Sequence, residues 1–148
     1  MKRKTSKKKT IKKVRAVIYD KKDGELYFLI LHRILRWKGW EALKETAEKR
    51  EAPEDTLRRG IKEETGLKKF RIIASLKKQE KWISLNNHYA IVDTFLVRAD
   101  MKQKISLKQE IIEHDKYEWV KREAAIKRLT WPKTKELFRQ LEINGRKK

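Results

Sequence analysis

Glu63 and Glu64 lie side by side in the segment 51–67, EAPEDTLRRGIKEETGL, and neighbouring carboxylates on one helix can form a site for a hard cation. At about 100 degrees per residue, positions 60, 63 and 64 share a strip of helix, so carboxylates at all three would converge on one Mg²⁺ or Mn²⁺. Position 60 is glycine. A pair of glutamates alone also fits an ordinary solvated helix face, which leaves the cation reading open.

Pro53 suits the first turn of a helix and Gly66 the residue just past its end, which predicts a helix from about Pro53 to Thr65. Leu57 and Ile61, four apart, would face the core beside the carboxylate strip. Glycine inside a helix costs roughly 1 kcal/mol against alanine, so Gly60 does not serve local helix stability.

The segment resembles the Nudix box, G-x5-E-x7-R-E-U-x-E-E-x-G-U with U aliphatic. Glu51 falls on its first glutamate, Arg59 on the arginine, Ile61 on the aliphatic position, Glu63 and Glu64 on the paired glutamates, and Gly66-Leu67 on the closing pair. Two positions depart: Glu45 stands where the box opens with glycine, and Gly60 where a glutamate follows the arginine. The resemblance implies that the glutamate missing at Gly60 is a principal metal ligand and, in some members, the base that activates water. Its loss predicts turnover at or near background.

The resemblance extends on both sides of the box. Residues 40–51 are similar to the family's lead-in strand and loop, with Lys44, Glu45 and Arg50 in places normally held by glycines. Glycine tolerates positive φ and close backbone approach, so these replacements predict an altered loop path or a pocket partly filled by side chains. Residues 110–120, EIIEHDKYEWV, resemble the Glu-His-x-x-Tyr-x-Trp stretch of the diadenosine tetraphosphate hydrolase-like group. His88 and His114 have no spaced His or Cys partner, and both read as polar surface histidines, with His114 a base candidate only by its neighbourhood.

Alternation at Val14, Ala16 and Ile18 predicts a strand over 13–20, and an Asp23-Gly24 turn leads to a second over 25–32. Extended segments follow the box helix at 70–76, 81–85 and 88–97, with Asn86-Asn87 turning between the last two. A polar connection over 99–114 precedes a last strand at 117–120 and a short helix at about 122–128. Thr130-Trp131-Pro132 then start a terminal helix with an apolar stripe of Leu137, Phe138 and Leu141. This is an α+β order, and it fits the α/β/α sandwich with a mixed sheet that the resemblance implies.

The 148 residues suit one domain. Cysteine is absent, which excludes disulfides and thiolate metal sites. No apolar run approaches the ~20 residues of a membrane-spanning helix, and the lysine-rich start lacks a secretory apolar region, so a cytoplasmic protein is expected. Lysine and arginine total 41 against 21 acidic residues, a net charge of +20. Lys2, Arg3, Lys4, Lys7, Lys8, Lys9, Lys12 and Lys13 precede any acid, which predicts a disordered basic arm over 1–12, a folded domain over 13–142 and a basic tail over 143–148. Such an arm could neutralise phosphates, with a solubility tail or a targeting signal as its alternatives. In the body, Arg33, Arg36 and Lys38 flank Trp37, which could stack on a base or pack, while Trp40 reads as core. Trp82, beside Lys77, Lys78 and Lys81, is a weaker stacking candidate.

Two functions follow. One is an Mg²⁺- or Mn²⁺-dependent hydrolase of a nucleoside diphosphate-linked substrate such as a dinucleoside polyphosphate. Its ligands would be Glu63 and Glu64, with Glu51 and Glu113 as further carboxylates and Arg59 orienting one of them. The other is a pseudoenzyme of the same fold that holds RNA or a ribonucleoprotein, a ribosome included, through its basic arms. The altered glycines, the missing ligand and the charge together favour the second.

Overall fold

The computed structural model describes residues 9–83 and 87–143. Strand β1 (Thr10–Lys22) is the backbone of the sheet. Its C-terminal half pairs antiparallel with β2 (Glu25–Arg33) across the Asp23-Gly24 turn, both turn residues having positive φ. Its N-terminal half pairs on another stretch with β4 (Leu43–Thr46), which follows the three-residue β3 (Gly39–Glu41). Strand β3 pairs with the far end of β2, so β1 and β2 splay apart and the β3–β4 segment spans them.

The other side of β1 runs parallel to β6 (Tyr89–Arg98), which pairs antiparallel with β5 (Arg71–Ile83). Strand β7 (His114–Lys121) closes on the free side of β2, with a bulge at His32/Arg33. The result is a seven-stranded mixed sheet. Helix α1 (Pro53–Thr65) covers one face, where Leu57 and Ile61 pack with Val14, Ala16, Leu31 and Leu43. Helices α2 (Arg122–Arg128) and α3 (Pro132–Gln140) cover the other, where Ala125, Leu129, Phe138 and Leu141 pack with Val17, Phe28 and Ile30. The expected α+β sandwich is the observed one.

Several expectations need correction. Strand β1 starts at Thr10, and residues 10–12, expected in the arm, pair with Tyr89, Ala90 and Ile91 of β6. The segments expected at 70–76 and 81–85 form one strand, β5, whose register slips between Leu76 and Glu80. His114 belongs to β7 and not to the preceding connection. The expected arm residues Lys2, Arg3, Lys4, Lys7 and Lys8, the tail from 144 onward, and Asn86 of the expected turn lie outside the described residues. Among the described residues no helix is long and apolar enough to cross a membrane.

Candidate metal and phosphate site

Helix α1 begins at Pro53 and ends against Gly66, which takes a left-handed φ of 73° and whose N–H donates to the Lys62 carbonyl. Residue Arg50 also has positive φ, 65°, so an arginine takes the left-handed backbone that glycine adopts at less cost. The loop before α1 is held by Arg59. Its Nε donates to Glu51 Oε2 at 2.9 Å and its Nη2 to Glu51 Oε1 at 2.8 Å, while Nη2 also reaches the Thr46 carbonyl at 2.9 Å. Glu51 Oε1 accepts further from the Glu48 N–H and the Thr56 hydroxyl. The hydrogen bond from Arg59 leads the causes that hold the Glu51 carboxyl down at about 2. Glu51, considered as a metal ligand, has its oxygens committed to closing this loop.

The two adjacent glutamates diverge. Glu63 is half exposed and meets Arg59 Nη1 at 3.3 Å. Glu64 is 2% exposed and forms a close group with Glu113 and His114. His114, expected at the surface, is 1% exposed. Its Nε2 lies 2.8 Å from Oε2 of Glu41, itself buried. Burial alone would raise the Glu41 carboxyl, but the bond to His114 and the charges of Lys44 and Arg33 hold it below its ordinary value. An ionised Glu41 must accept, so His114 donates from Nε2, and the neutral imidazole then turns its Nδ1 lone pair inward.

That lone pair faces Glu64 Oε1 at 3.9 Å, too far for a hydrogen bond. Both atoms are buried and without a hydrogen-bond partner, as is Glu41 Oε1. Burial, the Glu45 carboxyl against it, and the charges of Glu113 and Glu41 push Glu64 well above the usual carboxylate range. Burial of so many carboxyl oxygens is costly without a compensating positive charge. Two buried, facing, unpartnered donor atoms and a mostly oxygen set with one imidazole nitrogen fit a divalent cation such as Mn²⁺ or Mg²⁺.

The expected base- and phosphate-contacting residues do not behave alike. Arg33 is committed: its Nη1 meets Glu41 at 3.1 Å and Glu113 at 3.8 Å, and its Nε donates to the Leu35 carbonyl. Trp37 packs edge-on against Trp131 at 5.1 Å and lies under Arg33. Trp40 is partly buried between His32 and Arg128. Arg36 and Lys38 are exposed, as are Lys9 and Lys12, while Lys13 is half-buried, with burial and Arg33 lowering its pKa. Trp82 packs beneath Lys44. A groove of about 630 Å³ runs along β7, lined among others by Trp40, Tyr117 and Arg128, and does not include the Glu64 cluster.

A NUDIX domain family model matches residues 9–141. The chain belongs to the Nudix family. Similar solved structures include an Ap4A hydrolase of C. elegans in a binary complex, 22% identical, with a TM-score of 0.73 over 87% of this chain and 93% of that one. The MutT protein of Methanosarcina mazei is 22% identical, with a TM-score of 0.70 over 92% and 95% of the two chains. The E. coli dihydroneopterin triphosphate pyrophosphohydrolase is 16% identical, with a TM-score of 0.70 over 88% and 93%. At these identities the likeness is one of Nudix fold. No curated protein matches the chain in sequence.

The buried part of this candidate site was hidden in the sequence. Glu41 and His114 are 73 positions apart, and neither has a partner at a ligand-like spacing. The visible hint was the Glu-His pair at 113–114 in the stretch resembling the Ap4A hydrolase-like group.

Proposed function

We propose that this Nudix protein is a divalent-metal-dependent hydrolase of a nucleoside diphosphate-linked substrate, with dinucleoside polyphosphates the leading class. The observation that carries this reading is the group of buried Glu64 and His114 with partly buried Glu113, and its unpartnered, facing oxygen and nitrogen. A helix kept only for packing has no use for a fully buried carboxyl surrounded by others. This outweighs the glycine at position 60, which favoured a pseudoenzyme in the sequence.

Glu64, Glu113 and His114 Nδ1 would hold the cation, with Glu63 at the exposed rim. When bound, the cation polarises a phosphoryl oxygen and lowers the pKa of water. The rest falls to the protein. Glu41 fixes the His114 tautomer, and Arg33 holds Glu41 and Glu113 in place. Arg59 and Glu51 clamp the loop to α1 so that the ligands keep their spacing. In the reaction the water oxygen bonds to phosphorus as a bridging P–O bond of the diphosphate breaks, the departing phosphate oxygen keeping the bonding pair and the water giving up its proton to solvent. Arg36 and Lys38, exposed ahead of the site, suit the charge of the substrate phosphates.

The test is turnover of diadenosine tetraphosphate, ADP-ribose and nucleoside triphosphates in Mn²⁺ and Mg²⁺ by the full chain and by Glu64→Gln. The expected result is hydrolysis of at least one substrate that falls ~10²-fold or more in the variant. Turnover no higher than that of the variant on all of them would overturn the proposal.

The net charge of +20 supports a second reading, in which the same fold binds RNA or a ribonucleoprotein, with or without turnover. It rests on the basic arm and not on the site.

A further inference from the structure

The two departures from the box pattern, Glu45 and Gly60, touch each other. In β4, Leu43 and Glu45 are two apart and share a face. Leu43 packs with Leu57 and Ile61 of α1, so Glu45 is aimed at the same helix. A Cβ placed on Gly60 would lie 2.8 Å from Glu45 Cβ, 3.0 Å from its Cγ and 3.4 Å from its Oε1. The Glu45 side chain therefore occupies the space into which a residue at position 60 would project. A glycine at 45 would leave that space to the helix, and a glycine at 60 yields it to the strand.

We propose that Glu45 and Gly60 are a transposed pair, in which the carboxylate absent from the helix is delivered from β4 by Glu45 and binds the divalent cation together with Glu64. This rests on the cluster being a cation site, as argued above. The support is geometric. Glu45 is mostly buried, and Arg59 Nη1 and the Thr46 N–H both reach its Oε2, at 3.3 Å each, leaving Oε1 on the side of position 60. Its carboxyl lies against that of Glu64. Glu64 Oε1 and His114 Nδ1, buried and unpartnered, independently mark the place as one prepared for a ligand. Two carboxyls brought together in this way can both ionise only if a positive charge joins them, and Arg59 reaches Glu45 from the outer side.

The exchange predicts that neither departure is tolerated alone. Glutamate at 60 with Glu45 retained would put two side chains in one space. Glycine at both would leave the helix face without the carboxylate.

The test is Mn²⁺ binding to the full-length protein, read from the paramagnetic resonance of free Mn²⁺. Four proteins are compared: wild type, Glu45→Gln, Glu64→Gln, and the double exchange Glu45→Gly with Gly60→Glu. Loss of outer-sphere partners alone weakens metal binding ~10–100-fold, so Glu45→Gln, which keeps the shape and removes the charge, should lose at least ~10-fold. The double exchange should return to within a few-fold of wild type. If Glu45→Gln binds like wild type while Glu64→Gln does not, the transposition is wrong and the cation site stands. If wild type binds no Mn²⁺, the transposition and the hydrolase reading both fall. A double exchange that fails to fold leaves the decision with Glu45→Gln, whose folding is checked by its thermal melt.

Discussion

Arg59 shows how much one residue of the box does away from any substrate. It joins Glu51, the Thr46 carbonyl, Glu45 and Glu63, and so fixes loop, strand and helix together. A lysine could not reproduce the paired donation to Glu51, because its ammonium is a point charge without the guanidinium's fork. Arg59→Met should therefore lower the melting temperature, and the loss should depend on pH. In the folded protein the Glu51 carboxyl sits at about 2 against an ordinary value of 4.5, chiefly through its hydrogen bond from Arg59. A depressed carboxyl contributes stability that is present above the unfolded value and is lost as pH falls through the folded one. The difference between wild type and Arg59→Met should be full near pH 6 and shrink between about 4.5 and about 2. Thermal melts across that range check it, and a difference that stays constant would mean that the Arg59–Glu51 pair contributes through packing alone.

At the scale of elements, α1 and β4 act as one unit, and Gly60 is where this can be measured. Glycine to alanine inside a helix ordinarily gains roughly 1 kcal/mol. Here Gly60→Ala places its methyl 2.8 Å from Glu45 Cβ, a side chain anchored by Arg59. Overpacking of that kind typically costs about 1–3 kcal/mol, so the variant should be less stable than wild type. In a Glu45→Gly background the same change should become stabilising, which a urea-unfolding double-mutant cycle reads as coupling between 45 and 60. Additive effects would show that β4 gives way at no cost.

The same elements show what the sequence made legible. Helix α1 could be bounded because Pro53 and Gly66 are local signals, and α2 because its residues follow directly from the last strand. The roles assigned to Leu57 and Ile61 needed only helical periodicity. The continuity of β5 was obscured by a run of polar residues, across which pairing with β6 lapses after Leu76 and resumes at Glu80 with a shifted register. The burial of His114 depends on Glu41 across the β2 edge, and the contact of Glu45 with Gly60 on how β4 meets α1. Both are long-range facts that no window of residues contains. The box resemblance pointed to α1, and the tertiary structure puts its two exceptions, Glu45 and Gly60, in contact.

For the molecule as a whole, the question left by the charge is where the excess acts. The body neutralises much of its own: Arg15 pairs with Glu80, Arg33 with Glu41, Arg98 with Asp20 and Arg128 with Glu118. The first eight residues contribute Lys2, Arg3, Lys4, Lys7 and Lys8 without one acid. Removal of residues 1–8 should leave the melting temperature nearly unchanged, since β1 begins at Thr10. Removal of residues 1–12 is a different experiment, because it strips Thr10, Ile11 and Lys12 from their ladder with β6 and should lower it. If the arm binds RNA, the shorter deletion should weaken binding and flatten the plot of log affinity against log salt by ~0.7 for each single-strand phosphate that the arm neutralises. If, as proposed, the cluster at Glu64 hydrolyses a small dinucleotide, that turnover should survive the deletion. Binding isotherms over a salt series, with turnover measured on the same preparations, check both halves. An unchanged salt slope would remove the arm from RNA binding. A parallel fall in dinucleotide turnover would place the arm at the Nudix site itself.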